Sequence, residues 1–495
     1  MAPLALSSPV RAQAAGGWLH TSTPSFSLYG RVGHKALIEM ANDLEDFAGL
    51  LRALHGLSVP GDERPLPIYL TSRQSDLKRV RPEVADYVGG FYSASVGDVF
   101  AVLTLEGDGD RGRQLLFHEY AHHFMKQNAP AAYASWLVEG YAEYFMTARF
   151  KPDVVEVGVT SRRIAWLRGA SAWAPFEEIL GRRALTGRRT DIAAFYAQSW
   201  ILTHYMMSDP ERLARLTRYA QAVAQGGDPV ALAPEAVGVP LADLERVLKR
   251  YMGSLPGRRM ARPPSSAQQR AVTRLSASAD DLILENQRLK MGVPKEQRPE
   301  LLTMIRERAA RYPNDRLADL TLARAENDFG DRAKAQALLQ RRIETDPRDV
   351  ESIQMMGWSC MLQARAEPAQ AARHLKEARD WFGKGFAVDP NNALLLYDYG
   401  ISRRGEPGYP NDNAVNVLLR AQQLAPQVGQ FRLAAADALM RRDRFDEAAA
   451  MVEPVFNDPH AGPQAAEARR RFEQAIARRR PTGNAEEGDK DAPEG

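Results

Sequence analysis

Five prolines divide the C-terminal half of the chain at near-equal intervals. They are Pro313, Pro347, Pro390, Pro426 and Pro459, spaced 34, 43, 36 and 33 residues apart. Between them the sequence is alanine-rich, has helical spacing of apolar residues and carries no strand signal. Proline stops a helix because it lacks an N–H and its ring crowds the preceding turn. Ten positions after the first four prolines stand Ala323, Gly357, Gly400 and Ala436, all small. Twenty-two positions after them stand Ala335, Ala369 and Ala448, with Ala414 in the third interval once two extra residues are allowed. Small residues recurring at fixed places mark where two helices cross closely. A helix pair of this size cannot bury its apolar face alone, so repeated pairs stack into a solenoid. The expectation is about four pairs within residues 290–475, with an insertion of about nine residues in the second. The stretch Pro299 to Ala310 adds a half-repeat cap. The concave face of such an array is suited to a peptide or protein partner.

The N-terminal half mixes strand and helix signals and predicts an α+β domain over residues 16–255. Gly17 to Tyr29 reads as entry strands, Leu66 to Leu70 as a short strand, and Tyr87 to Leu105 as two strands with a turn near Gly97-Asp98. Val32 to Leu54 has helical spacing. One helix, from about Arg111 to Asn128, carries His118-Glu119-Tyr120-Ala121-His122, an H-E-x-x-H pattern. Histidines four apart project from one face of a helix and can grip one zinc ion. Glu119 is placed to take a proton from water activated by that metal. A catalytic zinc keeps three protein ligands, so a third is expected from a second helix. Glu139 and Glu143, four apart among Trp136, Leu137, Val138, Tyr141, Ala142 and Phe145, are the candidates. Carboxylates in apolar company need a partner, and a metal or a histidine provides one. His123 lies about 100° round the helix from His122 and is read as lying behind the ligands or at the surface. The plain alternative is that these histidines and glutamates are ordinary helix residues.

The two segments together resemble the gluzincin branch of zinc metallopeptidases, which carry H-E-x-x-H followed by a helix with E-x-x-x-D or E-x-x-x-E. The wording W-L-x-E-G-x-A-E-Y-F is similar to a bacterial group of peptidase-like proteins that often bear helical repeats. The resemblance covers roughly residues 18–255 and is specific around 114–146. It implies that His118, His122 and Glu139 bind zinc, that Glu119 is the general base and that Glu143 orients a ligand histidine. It also implies an oxyanion donor opposite the metal. Tyr196, in Tyr196-Ala197-Gln198-Ser199, resembles the Y-x-K-G turn of aminopeptidase-like members, with Gln and Ser in place of Lys and Gly. His204, eight residues on, is the reserve. By the same resemblance, Val99 to Leu105 is the edge strand that would pair with an extended substrate. No G-x-M-E-N segment appears, so recognition of a free amino terminus is not implied. In the second half, the 34-residue period resembles that of tetratricopeptide (TPR) repeats.

Composition closes off other classes. The chain has 495 residues, 44% of them hydrophobic and 26% charged, with a net charge of +3. That charge gives no case for nucleic acid, and no apolar run reaches the length of a spanning helix. The single cysteine, Cys360, reads as core packing and forms no intramolecular disulfide. Leu255 to Gln269 is rich in Pro, Arg and Ser and opens a linker expected over residues 256–289. Residues 476–495 are expected as a disordered tail. Ala12-Gln13-Ala14 reads as a cleavage signal within a truncated leader over residues 1–15, which points to a periplasmic or secreted protein; a short leader on a cytoplasmic protein is the alternative. The expected function is zinc-dependent hydrolysis of a peptide bond, with the repeats recruiting a peptide or protein. Two alternatives stay open: a catalytically silent scaffold whose repeats carry the function, and hydrolysis of a non-peptide amide or ester.

Overall fold

The computed structural model describes residues 17–58, 64–106, 109–159, 162–170, 172–181, 189–264, 270–456 and 464–479. The expected leader, Pro459 and the tail beyond residue 479 lie outside the described residues. The N-terminal part opens with β1 (Leu19–Ser22), β2 (Phe26–Gly30), α1 (His34–His55), β3 (Leu66–Thr71) and α2 (Gln74–Val80). A hairpin follows, β4 (Gly90–Ala94) and β5 (Val99–Thr104), then α3 (Gly109–Asn128) and α4 (Ser135–Phe145). Next come β6 (Arg149–Phe150), β7 (Val154–Val157), α5 (Arg162–Gly169), α6 (Phe176–Gly181) and α7 (Arg189–Met207). The series ends with α8 (Pro210–Ala224), α9 (Pro229–Val237), α10 (Leu241–Tyr251), β8 (Arg258–Ala261) and β9 (Thr273–Arg274).

Six strands form a mixed sheet in the order β4-β5-β3-β2-β1-β9. Strands β2, β3 and β5 are mutually parallel, while β1, β4 and β9 run antiparallel to their neighbours. Side chains alternate between the faces of a strand, and here both faces are covered. Ile68, Leu70, Ala101 and Leu103 pack with Leu44 of α1 and Phe117 of α3. Tyr69, Phe100 and Val102 pack with Leu77 and Val80 of α2 on the other side. Strand β3 is consequently buried along its whole length, as expected of a central strand sandwiched between helices. The edge assignment made from the sequence needs correcting. Val99 to Thr104 is an inner strand, because β3 takes one of its sides and β4 the other; β4 is the edge.

The expected linker is also corrected. Arg258–Ala261 joins β6 and β7 in a three-stranded sheet, and Thr273–Arg274 pairs with β1. Helix α11 (Ser278–Met291) then covers the second face of the large sheet with Ala279, Ile283 and Leu284, against Trp18 and Tyr69. The Pro/Arg/Ser composition marks only the connections. Arg258–Ala261 has no proline to block strand pairing, and α11 has an apolar face that finds a partner.

From α11 onward the chain is helical. The remaining helices are α12 (Arg298–Ala309), α13 (Arg316–Phe329), α14 (Arg332–Thr345), α15 (Val350–Ala366) and α16 (Ala371–Val388). After them come α17 (Ala393–Ser402), α18 (Asp412–Leu424), α19 (Gly429–Met440), α20 (Phe445–Phe456) and α21 (Gln464–Arg479). Consecutive helices pack as antiparallel pairs, α13 on α14 through α19 on α20. This is a TPR-like repeat array. The expected half-repeat is a full pair, since α12 also packs on α11. The punctuating prolines have a local role: Pro313, Pro347 and Pro390 each stand two residues before an N-cap, Asp315, Asp349 and Asn392. Those side chains accept from the backbone N–H groups of Ala318, Ser352 and Leu395, satisfying donors that a helix start leaves open.

Ala323, Ala335, Ala414, Ala436 and Ala448 are fully buried at helix crossings. A side chain at Gly357 would collide with the Phe382 ring, and one at Gly400 with Leu418. Ala369 does not hold its expected place: it is exposed, in the turn before α16. Ala378, nine residues later, is the buried alanine of that pair. The nine extra residues therefore fall before the crossing point: α16 begins five residues later than α14 does relative to its proline, and its buried alanine lies four residues further into the helix.

The first helices of successive pairs, α11, α13, α15, α17 and α19, touch one another along the array, whereas the second helices do not approach as closely. The side where neighbours come closer is the concave side of the curve. The β4–β5 hairpin sits on that side. Ser95 Oγ donates to Lys290 O at 3.1 Å, and Lys290 Nζ donates to Asp98 Oδ2 at 3.0 Å. Lys290 also pairs with Glu351 of α15 at 3.5 Å, and Glu351 with Arg324 of α13 at 2.8 Å. Further along, Val96 and Val99 pack against Leu396, Ala421, Val428 and Phe431. A Cβ at Gly97 would run into the Lys290 carbonyl, so only glycine allows this approach. Part of the concave face, the side expected to take a peptide or protein partner, is filled by the chain's own hairpin.

Candidate metal centre

Helix α3 carries His118 and His122 on the face turned to α4, which packs on it. Helix α4 is buried throughout, including Glu139 and Glu143. Its approach to α7 is close because residue 140 is glycine: a Cβ there would collide with Thr203 Oγ1 and lie 2.6 Å from Ser199 O. The α3–α4 packing sets Glu139 beside the histidines, and the tight α4–α7 packing brings Tyr196 near them.

Three donor atoms converge. His118 Nε2 and His122 Nε2 are 3.0 Å apart, and Glu139 Oε2 lies 3.5 Å from the first and 3.4 Å from the second. All three residues are buried, and no other His, Cys, Asp and Glu group of three converges in this way among the described residues. Zinc held tetrahedrally at about 2.0–2.2 Å from its ligands needs donors about 3.3–3.5 Å apart. The two imidazole nitrogens stand somewhat closer than this, and the separations from each of them to Glu139 fit it. They are longer than good hydrogen bonds from imidazole to carboxylate. The donor set, two imidazoles and one carboxylate, is also that of an open zinc site.

The electrostatics agree with a cation at this point. Burial alone lowers the pKa of His118, but Glu139, Glu143 and Glu119 outweigh it and push it up to about 9. At His122 burial wins, only partly offset by Glu139, and the pKa is lowered. The negative potential that draws a proton onto His118 equally favours a divalent ion, which would replace that proton.

Around this core, Glu119 is buried on the same turn as His118. Glu143 Oε1 stands 3.8 Å from His118 Nδ1, behind the ring. Tyr196 presents its ring 6.3 Å from that of His118. Burial, with Glu139, Glu143 and Glu119, raises its pKa well above 10, so the phenol keeps its proton. Gln198, in the same turn, faces elsewhere: it exchanges two hydrogen bonds with the backbone of Ala174.

His204 is not part of the cluster, which corrects its place as reserve donor. Its Nε2 bonds to Gly158 O and its Nδ1 to the Tyr251 hydroxyl, both at 2.8 Å. It is packed between Tyr144 and Trp200, and burial lowers its pKa. Eight residues on a helix lie about 80° round and about 12 Å further along. His123 lies off the ligand face. It is buried, 3.4 Å from the Tyr92 hydroxyl of β4, and burial pushes its pKa down to about 4.

One residue of the site was missed in the sequence. Arg163 of α5 donates to both oxygens of Glu143, at 2.9 Å and 2.5 Å. Its guanidinium carbon lies 4.9 Å over the Tyr196 ring. No spacing rule links Arg163 to Glu143, twenty residues away on another helix.

No protein-family model matches the chain, and no curated protein matches it. Among solved structures, a thermophilic TPR protein from Thermus thermophilus is similar at 21% identity, covering 41% of this chain and 100% of that one, with a TM-score of 0.34. MamA is similar at 15% identity, covering 36% of this chain and 93% of its own, with a TM-score of 0.26. At such scores the likeness is slight, and the repeat organisation rests on the helix pairs and the small residues between them. No described helix is long and apolar enough to cross a membrane.

Proposed function

We propose that the N-terminal part is a zinc-dependent hydrolase acting on peptide bonds. The observation that carries the reading is the meeting of the buried donors His118, His122 and Glu139, with Glu139 3.4 Å and 3.5 Å from the two histidines, separations suited to ligands of one zinc ion. His118, His122 and Glu139 would hold the metal. Bound there, zinc would supply Lewis-acid polarisation and water activated at neutral pH. Glu119 takes the proton of the attacking water as the new C–O bond forms, and delivers it to the amide nitrogen as the C–N bond breaks. Tyr196, held protonated, donates a hydrogen bond to the oxygen that gains charge. Among the described residues no strand pairs with the outer side of β4, where an extended peptide would add. The leader read from the sequence would export the protein to the periplasm or beyond.

Glu119→Gln tests this directly, because it keeps the shape and removes the base. The zinc-loaded parent is expected to cleave members of a mixed peptide library. The variant should bind zinc equally and cleave about 10²–10⁴-fold more slowly. Equal cleavage by both proteins would overturn the assignment.

A second reading is favoured by the TPR-like array, a fold suited to protein interaction. In it the N-terminal part is a silent scaffold and the repeats carry the function. A parent that binds zinc yet cleaves nothing, while capturing a partner through the repeats, would favour this reading.

A further inference from the structure

Arg163 binds Glu143 with two parallel hydrogen bonds, Nε to Oε2 and Nη2 to Oε1. The Glu143 side chain is 2% exposed and that of Arg163 30%. Glu143 Oε1 in turn lies 3.8 Å from His118 Nδ1, on the side of the ring opposite the donor Nε2. A carboxylate with one neighbour at that distance has freedom to rotate about its terminal torsion. A planar guanidinium fork engages both oxygens at once and removes that freedom. The chain of contacts therefore runs from α5 through α4 to the metal-facing histidine on α3.

We infer that Arg163 is a positioning residue of the metal centre, fixing Glu143 against the back of the His118 ring. This rests on the zinc reading above. Partners behind a ligand histidine set its tautomer and orientation, and losing one costs about 10–100-fold in metal affinity. Lysine offers a point charge rather than a fork, so it should not replace arginine here.

The test is zinc affinity of the full chain, measured by competition with a chelating dye. Parent, Arg163→Gln, Arg163→Lys, Glu143→Gln and the double variant Arg163→Gln/Glu143→Gln are compared. The expected result is a loss of about 10–100-fold in Arg163→Gln, with most of that loss remaining in Arg163→Lys. In the Glu143→Gln background, Arg163→Gln should cost nothing more, because its route to the metal is already cut. A merely structural role would give losses that add. Unchanged affinity in Arg163→Gln, or additive losses, would overturn the inference while leaving the zinc centre intact. Should Arg163→Gln not fold, Arg163→Lys keeps the charge and decides alone: parent-like affinity would overturn the inference. A parent that binds no zinc removes the zinc reading itself, and this inference with it.

Discussion

At the scale of single residues, the site depends on spacing that a helix makes literal. His118 and His122 share a face because they are one turn apart, Glu139 reaches them from α4, which packs on α3, and Tyr196 comes near because Gly140 admits α7 so closely. A different residue offers a pH test outside the site. Asp398, 1% exposed, accepts from Gln354 Nε2 at 2.7 Å. Burial outweighs that bond and the charge of Arg365, and pushes its pKa up to about 7 from an ordinary 3.8. A carboxyl with a raised folded pKa binds its proton more tightly in the native state. Its contribution is complete below about pH 4 and fades as pH rises towards 7. The expected loss across that window is about 4 kcal/mol at most. Denaturant unfolding of the parent at pH 4 and pH 8, beside Asp398→Asn, checks this. The variant should show a flatter profile, and matching profiles would contradict a raised pKa at Asp398. The meeting of His118, His122, Glu139 and Glu143 was legible in the sequence because each pair sits on one helix. Arg163 was not, because its bond to Glu143 joins separate helices. His204 was misplaced because eight residues carry it about 80° round the helix and about 12 Å along it from Tyr196.

At the scale of elements, the repeats were legible because each is a local unit with its own cap and crossing residue. The nine-residue insertion moved the second crossing from Ala369 to Ala378 without erasing the pattern. The join between the halves was harder to read, since composition describes Leu255 to Gln269 as irregular and gives no hint of its pairing with β7. Helix α11 has two roles: it covers one face of the sheet and begins the repeat array. A chain ending at residue 255 would leave Trp18, Tyr69 and their neighbours on that face without the cover of α11. Such exposed apolar area costs about 25 cal/mol per Å². That fragment is therefore expected to lack a cooperative thermal transition by calorimetry. A soluble fragment with a sharp transition would show that α11 is dispensable to the sheet.

At the scale of the whole molecule, the two halves are one unit. The hairpin that ends in Gly97 lies in the curve of the array, held by Lys290 and Asp98 and by apolar contacts with α17–α19. Burial works against ionisation of Asp98, but Lys290 and Arg64 outweigh it and hold its carboxyl below the usual range. The same hairpin supplies the edge strand β4, so the array braces the sheet on the side where β4 lies. This contact was not legible in the sequence, because a meeting of residues 95–99 with residues 290–431 leaves no period. Metal content of the intact chain tests the zinc centre most directly. Mass spectrometry on parent and His118→Ala, each dialysed against zinc at neutral pH, should find about one zinc per parent chain and almost none in the variant. No zinc in the parent, or equal zinc in both, would contradict a centre built on His118, His122 and Glu139.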